Sequence, residues 1–352
     1  MLPLVATLAA AVVAGCGSGS KPAPTATVTV AEAAKPTATA APPKASAANA
    51  AVAFQQALIG VVTRLSPSVV QISDSQGLGS GVVFDAEGDI VTNYHVVASG
   101  GSLTVTTAKG KRYPATLVGE FPSDDLAVVR VSGASLRPAA FADSSKLQVG
   151  DLAVAIGNPL GLQSSVTEGI VSAFRQGVPE GNNNGHIVAL PSMIQTSAAI
   201  NPGNSGGALA DIQGRVIGIP TLAATDPQLG GSAAPGIGFA IPSNLVKDIA
   251  SQIIAHGHVV ASHRAYLGIQ GGDTNGQGVY IGSVQSGGPA AQAGIRAGDV
   301  IASVGGHPTP TLDALTSVLA RLKPGRTVAV ELVRQNGSTT TVQLTLGSYP
   351  GA

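Results

Sequence analysis

The 352-residue chain carries 19 basic and 19 acidic residues, for a net charge of zero, and is 44% hydrophobic but only 11% charged. That length suits two or three domains, and the apolar share is enough to build their cores. No basic run extends beyond 109–112, which excludes the basic stripe of a nucleic-acid-binding surface. Gly and Pro number 46 and 23, Trp is absent, and Val, Thr and Ala are abundant. Such a chain reads as β-rich with many turns, its cores built from Val, Ile, Leu and Ala.

Residues 2–14 are apolar apart from Thr7, and Gly15-Cys16 follows. The run is shorter than the about 20 residues that span a bilayer, and it ends in small residues, as a signal-peptide h-region does. Val13-Ala14-Gly15-Cys16 resembles a bacterial lipobox. That resemblance implies lipidation of Cys16 and a membrane anchor on the outer face of the cytoplasmic membrane. No Lys or Arg precedes the apolar run, a departure from the usual signal. A secreted or periplasmic protein is the alternative. Cys16 is the sole cysteine, so no intramolecular disulfide forms. Residues 17–52 are mainly Ala, Pro, Thr and Ser and predict a disordered tether. Its reach is on the order of 30 Å.

From about residue 66 short β segments are predicted, at 68–72, 81–84, 89–92, 103–107, 112–118, 126–131, 152–156, 166–174, 193–196, 216–219 and 237–241. Asp85 to Gly88 and Lys109-Gly110 read as hairpin turns. Many short strands with frequent turns suit one or two antiparallel barrels. The first helix is expected at 244–256, with Ser243 as N-cap and Gly257 as its stop. A smaller unit follows, with strands at 267–270, 279–284, 299–304, 327–334 and 339–346. Thr311 is expected to cap its helix, where Leu312, Leu315, Leu319 and Leu322 recur at helical spacing.

Asn201-Pro202-Gly203-Asn204-Ser205-Gly206-Gly207 is poor material for regular structure and good material for a nucleophile loop. A serine hydroxyl needs a base within hydrogen-bond reach, and the base needs an orienting carboxylate. His95 and Asp125 fill those roles in the chain order His, Asp, Ser, each at the end of a predicted strand. The N–H groups around Gly203, Asn204 and Ser205 would receive an oxyanion, and Gly203 allows a peptide orientation that a side chain would hinder.

Thr92-Asn93-Tyr94-His95-Val96-Val97, Asp125-Leu126-Ala127-Val128-Val129 and the loop around Ser205 resemble the HtrA (Deg) family of serine endopeptidases. The resemblance extends through Ile237-Gly238-Phe239-Ala240-Ile241-Pro242 and covers about residues 55–347. It implies a mostly β chain: a chymotrypsin-like double antiparallel β-barrel followed by one α+β PDZ domain. The boundaries expected are 1–16 for the signal, 17–52 for the tether, 53–257 for the protease, 258–265 for the linker and 266–348 for the PDZ domain. Tyr266-Leu267-Gly268-Ile269 is similar to a PDZ carboxylate-binding loop. Residues 294–301 match the second PDZ motif, so C-terminal peptides are the implied PDZ ligands.

The family also implies envelope quality control, with unfolded or damaged proteins as substrates, no cofactor, and a homotrimer. Phe54, Leu58 and Ile59 are candidates for the trimer contact. Ile200 and Ile237 match positions near an apolar S1 pocket, which favours Val or Ala at P1. Asn204 stands where trypsin-like enzymes carry an Asp that pairs with a new N-terminus. The expected switch is therefore ordering of the loops 175–190, 198–204 and 221–236. His256, His258 and His263 lie close in sequence without a Cys or carboxylate pair and read as solvated linker histidines, with no metal. The competing readings are a PDZ-bearing chaperone with little proteolysis and a free secreted protease.

Overall fold

The computed structural model describes residues 44–349, apart from 75–76, 159–164, 176–177, 184–185, 191, 202 and 227–231. Cys16, the signal segment and the tether up to residue 43 lie outside the described residues.

The strands form two closed six-stranded barrels. In the first, β1 (Val69–Ser73), β2 (Leu78–Val83), β3 (Asp89–Thr92), β6 (Leu126–Arg130), β5 (Arg112–Phe121) and β4 (Leu103–Thr106) neighbour one another in that order. The second runs β11 (Met193–Thr196), β14 (Ser232–Pro242), β13 (Val216–Asp226), β12 (Ala208–Ala210), β7 (Leu152–Gly157) and β8 (Ser165–Arg175). β9 (Val178–Asn183) and β10 (His186–Leu190) pair as a separate hairpin.

Period-two alternation decides where each side chain goes. In β6, Ala127 and Val129 fill the first barrel, while Leu126 and Val128 turn outward into the cluster shared with α3 and the second barrel. In β7, Ala153 and Ala155 fill the second barrel, and Val154 and Ile156 face back toward the first. Both faces of these strands are buried, which is why they read as continuous apolar runs. Each fully buried Val or Ile contributes about 1.5–3 kcal/mol, so the seam, with more buried apolar residues than either interior, stabilises the fold at least as strongly.

Two helices close the seam. α3 (Ser243–His256) lies against β5 and β6 and buries Val246, Ile249 and Ile253. Gly257 ends it in the left-handed region at φ 78°, as expected. The expected cap is corrected: Pro242 occupies the N-cap position, and Ser243 Oγ donates instead to Ala142 O at 2.9 Å. α1 (Lys44–Leu65) was not expected. It begins inside the segment read as a tether, and Val61 and Leu65 join the seam core. Two of the expected loops also hold strands: β9 and β10 fall within 175–190, and β13 and β14 extend into 221–236.

The last unit has its own core around Val279, Ile281, Ile301, Val330 and Leu332. Its sheet runs β16 (Ile269–Asp273), β17 (Val279–Val284), β18 (Val300–Val304), β20 (Thr327–Val333) and β21 (Thr339–Thr345), with β19 (His307–Pro308) beside β18. β15 (Ala265–Tyr266) pairs with β22 (Gly347–Ser348), and α4 (Pro289–Gln292) and α5 (Leu312–Leu319) complete the unit. Thr311 Oγ1 accepts from Ala314 N–H at 3.2 Å, the cap read from the sequence.

Candidate active site

His95 sits in α2 (Tyr94–Val97), one short turn beyond β3. Asp125 follows a 3-10 turn over Pro122–Asp124 and adopts φ 50°, ψ 44° before β6 begins. A non-glycine residue in the left-handed region carries a conformational cost, so this position is over-determined by its surroundings. Several bonds do that. Asp125 Oδ1 accepts from His95 N–H at 3.0 Å, and Asn93 Nδ2 donates to Asp125 O at 3.0 Å. The His95 Nδ1 lies 2.9 Å from Asp125 Oδ2. Asp125 is 1% exposed, whereas the His95 side chain is 41% exposed and reaches solvent on its other edge.

Thr221, in β13, joins these groups to Ser205. Its Oγ1 donates to Asp125 Oδ2, and its carbonyl accepts from Ser205 Oγ at 3.2 Å. Ser205 comes from the second barrel, His95 and Asp125 from the first. Thr221 therefore links the Asp125–His95 pair of the first barrel to Ser205 of the second, and the Ser205 hydroxyl points to the Thr221 carbonyl.

The loop around Ser205 is tightly pinned. Gly203 has φ 104°, and Gly206 has φ 78° with Ser80 O only 2.2 Å from where a Cβ would stand. No side chain fits at Gly206. Asn204 is buried; its Oδ1 accepts from Asn201 N–H at 2.9 Å and its Nδ2 donates to Ala199 O at 3.1 Å. Asn204 N–H is spent on Asn201 O at 3.1 Å. Among the described residues, the N–H groups of Gly203 and Ser205 have no such partner. Two of the three expected oxyanion donors are thus available, and Asn204 braces the loop instead.

Ile200 is buried in the second barrel's core and packs against the Cα of Gly238; Ile237 is 37% exposed. In the last unit, Leu267 is buried, Gly268 turns the chain at φ 76°, and Gly268 O accepts from Gln285 N–H at 2.9 Å. Tyr266 OH donates to Gln285 Oε1. A cavity of about 970 Å³ is lined by Ile269 on β16 and Leu315 and Leu319 on α5, and also by Ser123 and Leu245.

Arg264, just before β15, reaches back to the first barrel. Its Nη1 donates to Ser123 O at 2.9 Å and to Asp124 Oδ1 at 3.0 Å. Burial pushes the Asp124 carboxyl up to about 6; Arg264 opposes that and Asp248 adds to it. His263 Nε2 lies 3.5 Å from Asp248 Oδ2.

Sequence reasoning missed Thr221, Ser80 and the Arg264–Asp124 pair. Thr221 is the one polar residue within the otherwise apolar run 216–224. Ser80 is flanked by Gly79 and Gly81, the only hint of a close approach.

Residues 79–219 match the trypsin-like peptidase domain family, and residues 265–346 match the PDZ domain family. Serine protease Do-like HtrA of Lactococcus lactis is 42% identical over 284 residues, covering 74% of this chain and 69% of that protein. The chain belongs to the HtrA family of serine proteases. Serine protease PepD of Mycobacterium tuberculosis is 41% identical over 305 residues, 82% of this chain and 65% of its own length. The HtrA-type protease AlgW, solved with a decapeptide, superposes with a TM-score of 0.59 at 31% identity, over 83% of this chain and 98% of that one. The chain spans about half the length of some HtrA relatives, 54% of the DegP-like protein of Chlamydia trachomatis.

Proposed function

We propose that the chain is a serine endopeptidase of the cell envelope that cleaves misfolded or damaged proteins without ATP. One observation carries this reading: Ser205, Thr221, Asp125 and His95 form a single hydrogen-bonded set at the seam of two barrels. Ser205 Oγ is the nucleophile and attacks the scissile carbonyl carbon. His95 takes the Oγ proton, and Asp125 orients the imidazole and stabilises the imidazolium. The unpaired N–H groups of Gly203 and Ser205 receive the oxyanion; losing one such donor typically costs about 3 kcal/mol. The tetrahedral intermediate collapses as His95 returns its proton to the leaving amine. Water, activated by the same histidine, then hydrolyses the acyl-enzyme. No cofactor enters these steps.

Ile200 and Ile237 line the S1 side and select small aliphatic P1 residues. Asn204 carries no charge to pair with a new N-terminus, so loop order switches the site. In the PDZ domain, the N–H groups at Tyr266 to Ile269 take a peptide carboxylate. β16 ends the sheet path, so a peptide can add beside it, against α5. Peptide occupancy there regulates cleavage.

Val52, Phe54 and Ile59 on α1 are exposed apolar residues and support a homotrimer contact, while Leu58 packs toward the seam core. A lipid on Cys16 holds the enzyme at the membrane. Casein hydrolysis by the purified chain tests the main reading. Ser205→Ala should abolish it, and residual cleavage at the wild-type rate would overturn the nucleophile. An apolar C-terminal peptide should change the rate. Mass spectrometry of the mature protein tests the lipid.

A further inference from the structure

Ser80 lies on β2 of the first barrel and is fully buried. Its four polar contacts all cross to the catalytic elements or brace it there. Its N–H donates to Ser205 O at 2.9 Å. Its Oγ donates to Gly203 O at 2.6 Å and accepts from Asn158 N–H at 2.8 Å. Its own carbonyl accepts from Thr92 Oγ1 at 2.7 Å, three residues before His95.

The consequence is geometric. Gly203 and Ser205 supply the two unpaired N–H groups of the nucleophile loop, and the carbonyls of both rest on this one residue of the opposite barrel. A glycine with φ 104° has little intrinsic preference for that conformation. Tying its carbonyl removes one of the two peptide planes about which it could swing. The hydroxyl donates once and accepts once, so its bonds are directional in both senses. The close approach of Gly206 to Ser80 O seals the contact.

We propose that Ser80 is a positioning residue for the oxyanion hole, registering the nucleophile loop of the second barrel on the histidine-bearing barrel. This rests on Ser205 being the nucleophile and on Gly203 and Ser205 being the oxyanion donors. Ser80 touches no reacting atom. It acts by fixing the peptide planes that follow Gly203 and Ser205, next to the N–H groups that count only when negative charge develops, so its loss falls on kcat and spares KM.

The test uses the full chain and a peptide substrate, with Ser80→Ala, Ser80→Cys and Ser205→Ala compared. Ser80→Ala keeps the N–H bond to Ser205 O and loses both hydroxyl bonds. Its kcat should fall roughly ten- to a hundredfold with KM within about twofold, short of the 10²–10³ typical for a donor removed outright. Ser80→Cys, close in size and a weaker donor, should fall between wild type and Ser80→Ala. If the alanine variant does not fold, the cysteine variant decides: a several-fold loss in kcat supports the assignment. A wild-type kcat in a folded variant, or a loss carried wholly by KM, overturns it. Ser205→Ala separates the two readings, because activity surviving there refutes the nucleophile and not Ser80 alone.

Discussion

Arg264 Nη1 lies 3.0 Å from Asp124 Oδ1, so the residue that leads into the PDZ domain holds the turn that presents Asp125. The same guanidinium stacks over the Tyr349 ring at 5.5 Å, and Tyr349 meets Tyr266 edge-on at 5.3 Å. Tyr266 opens the loop proposed to take a peptide carboxylate. A short, continuous set of packed groups thus connects that loop to the neighbour of Asp125.

Asp124 should carry a pH signature in stability. Burial pushes its carboxyl up to about 6, with Asp248 adding to the rise and Arg264 opposing it. In the unfolded chain the value is near 4. The folded state therefore binds more protons between those two values. The group's contribution is full below about pH 4 and is lost as pH rises through about 6. Asp124→Asn removes that dependence. Thermal melts at pH 4 and pH 7.5 should show the variant gaining on wild type at the higher pH, by on the order of 2 kcal/mol. A difference that does not change with pH would count against the assignment.

Thr221→Val should lower kcat about tenfold and the melting temperature by roughly several degrees. Valine keeps the volume and the backbone carbonyl that accepts from Ser205, but loses the donor to Asp125 Oδ2. A hydrogen bond to a charged group is typically worth about 1.5–3 kcal/mol, and the remaining His95 contacts hold the carboxylate in place. Steady-state kinetics on a peptide substrate check this, and an unchanged kcat refutes it.

The barrels were largely legible because strands such as β6 and β7 bury both faces, and such segments read as unbroken Val, Ile and Ala runs between turn residues. The triad candidates were legible because each sits in a short motif at a strand end. Thr221 and Ser80 were not, because what they do depends on the packing of one barrel against the other. α1 was missed for a different reason. Ala-rich composition reads as a tether when few large apolar residues are present, yet alanine has the highest helix propensity. Val61 and Leu65 at its end supply the tertiary anchor that such a helix needs. Gly181, Asn182 and Asn183 at the end of β9 disguised a hairpin as a loop.

Asn204→Asp should weaken the enzyme most at neutral pH. Asn204 Nδ2 donates to Ala199 O, and an aspartate oxygen there would face a carbonyl in a buried site. Leaving a buried group without its partner typically costs about 1–3 kcal/mol, more when it is charged. The introduced carboxyl would therefore have its pKa raised. Its defect should be largest above that value and ease as acid protonates it. The readout is the melting temperature and kcat of the variant relative to wild type from pH 5 to pH 8. A variant that is equally active across that range would mean that Asn204 does not brace the loop through its amide.

Paired substitution of Phe54 and Ile59 with glutamate should dissociate the proposed trimer without unfolding the barrels. Both side chains stand out from α1, 44% and 47% exposed, while Val61 and Leu65 on the same helix are buried in the seam. The helix therefore has one face committed to its own chain and apolar residues left over on another. Burying such side chains between copies contributes about 25 cal/mol per Å² of apolar surface, and charges placed there reverse it. Sedimentation of the wild-type chain should give the trimer mass and that of the double variant the monomer mass, with the barrels' melting transition preserved. A wild-type chain that sediments as a monomer removes the trimer. A double variant that stays trimeric moves the contact away from α1.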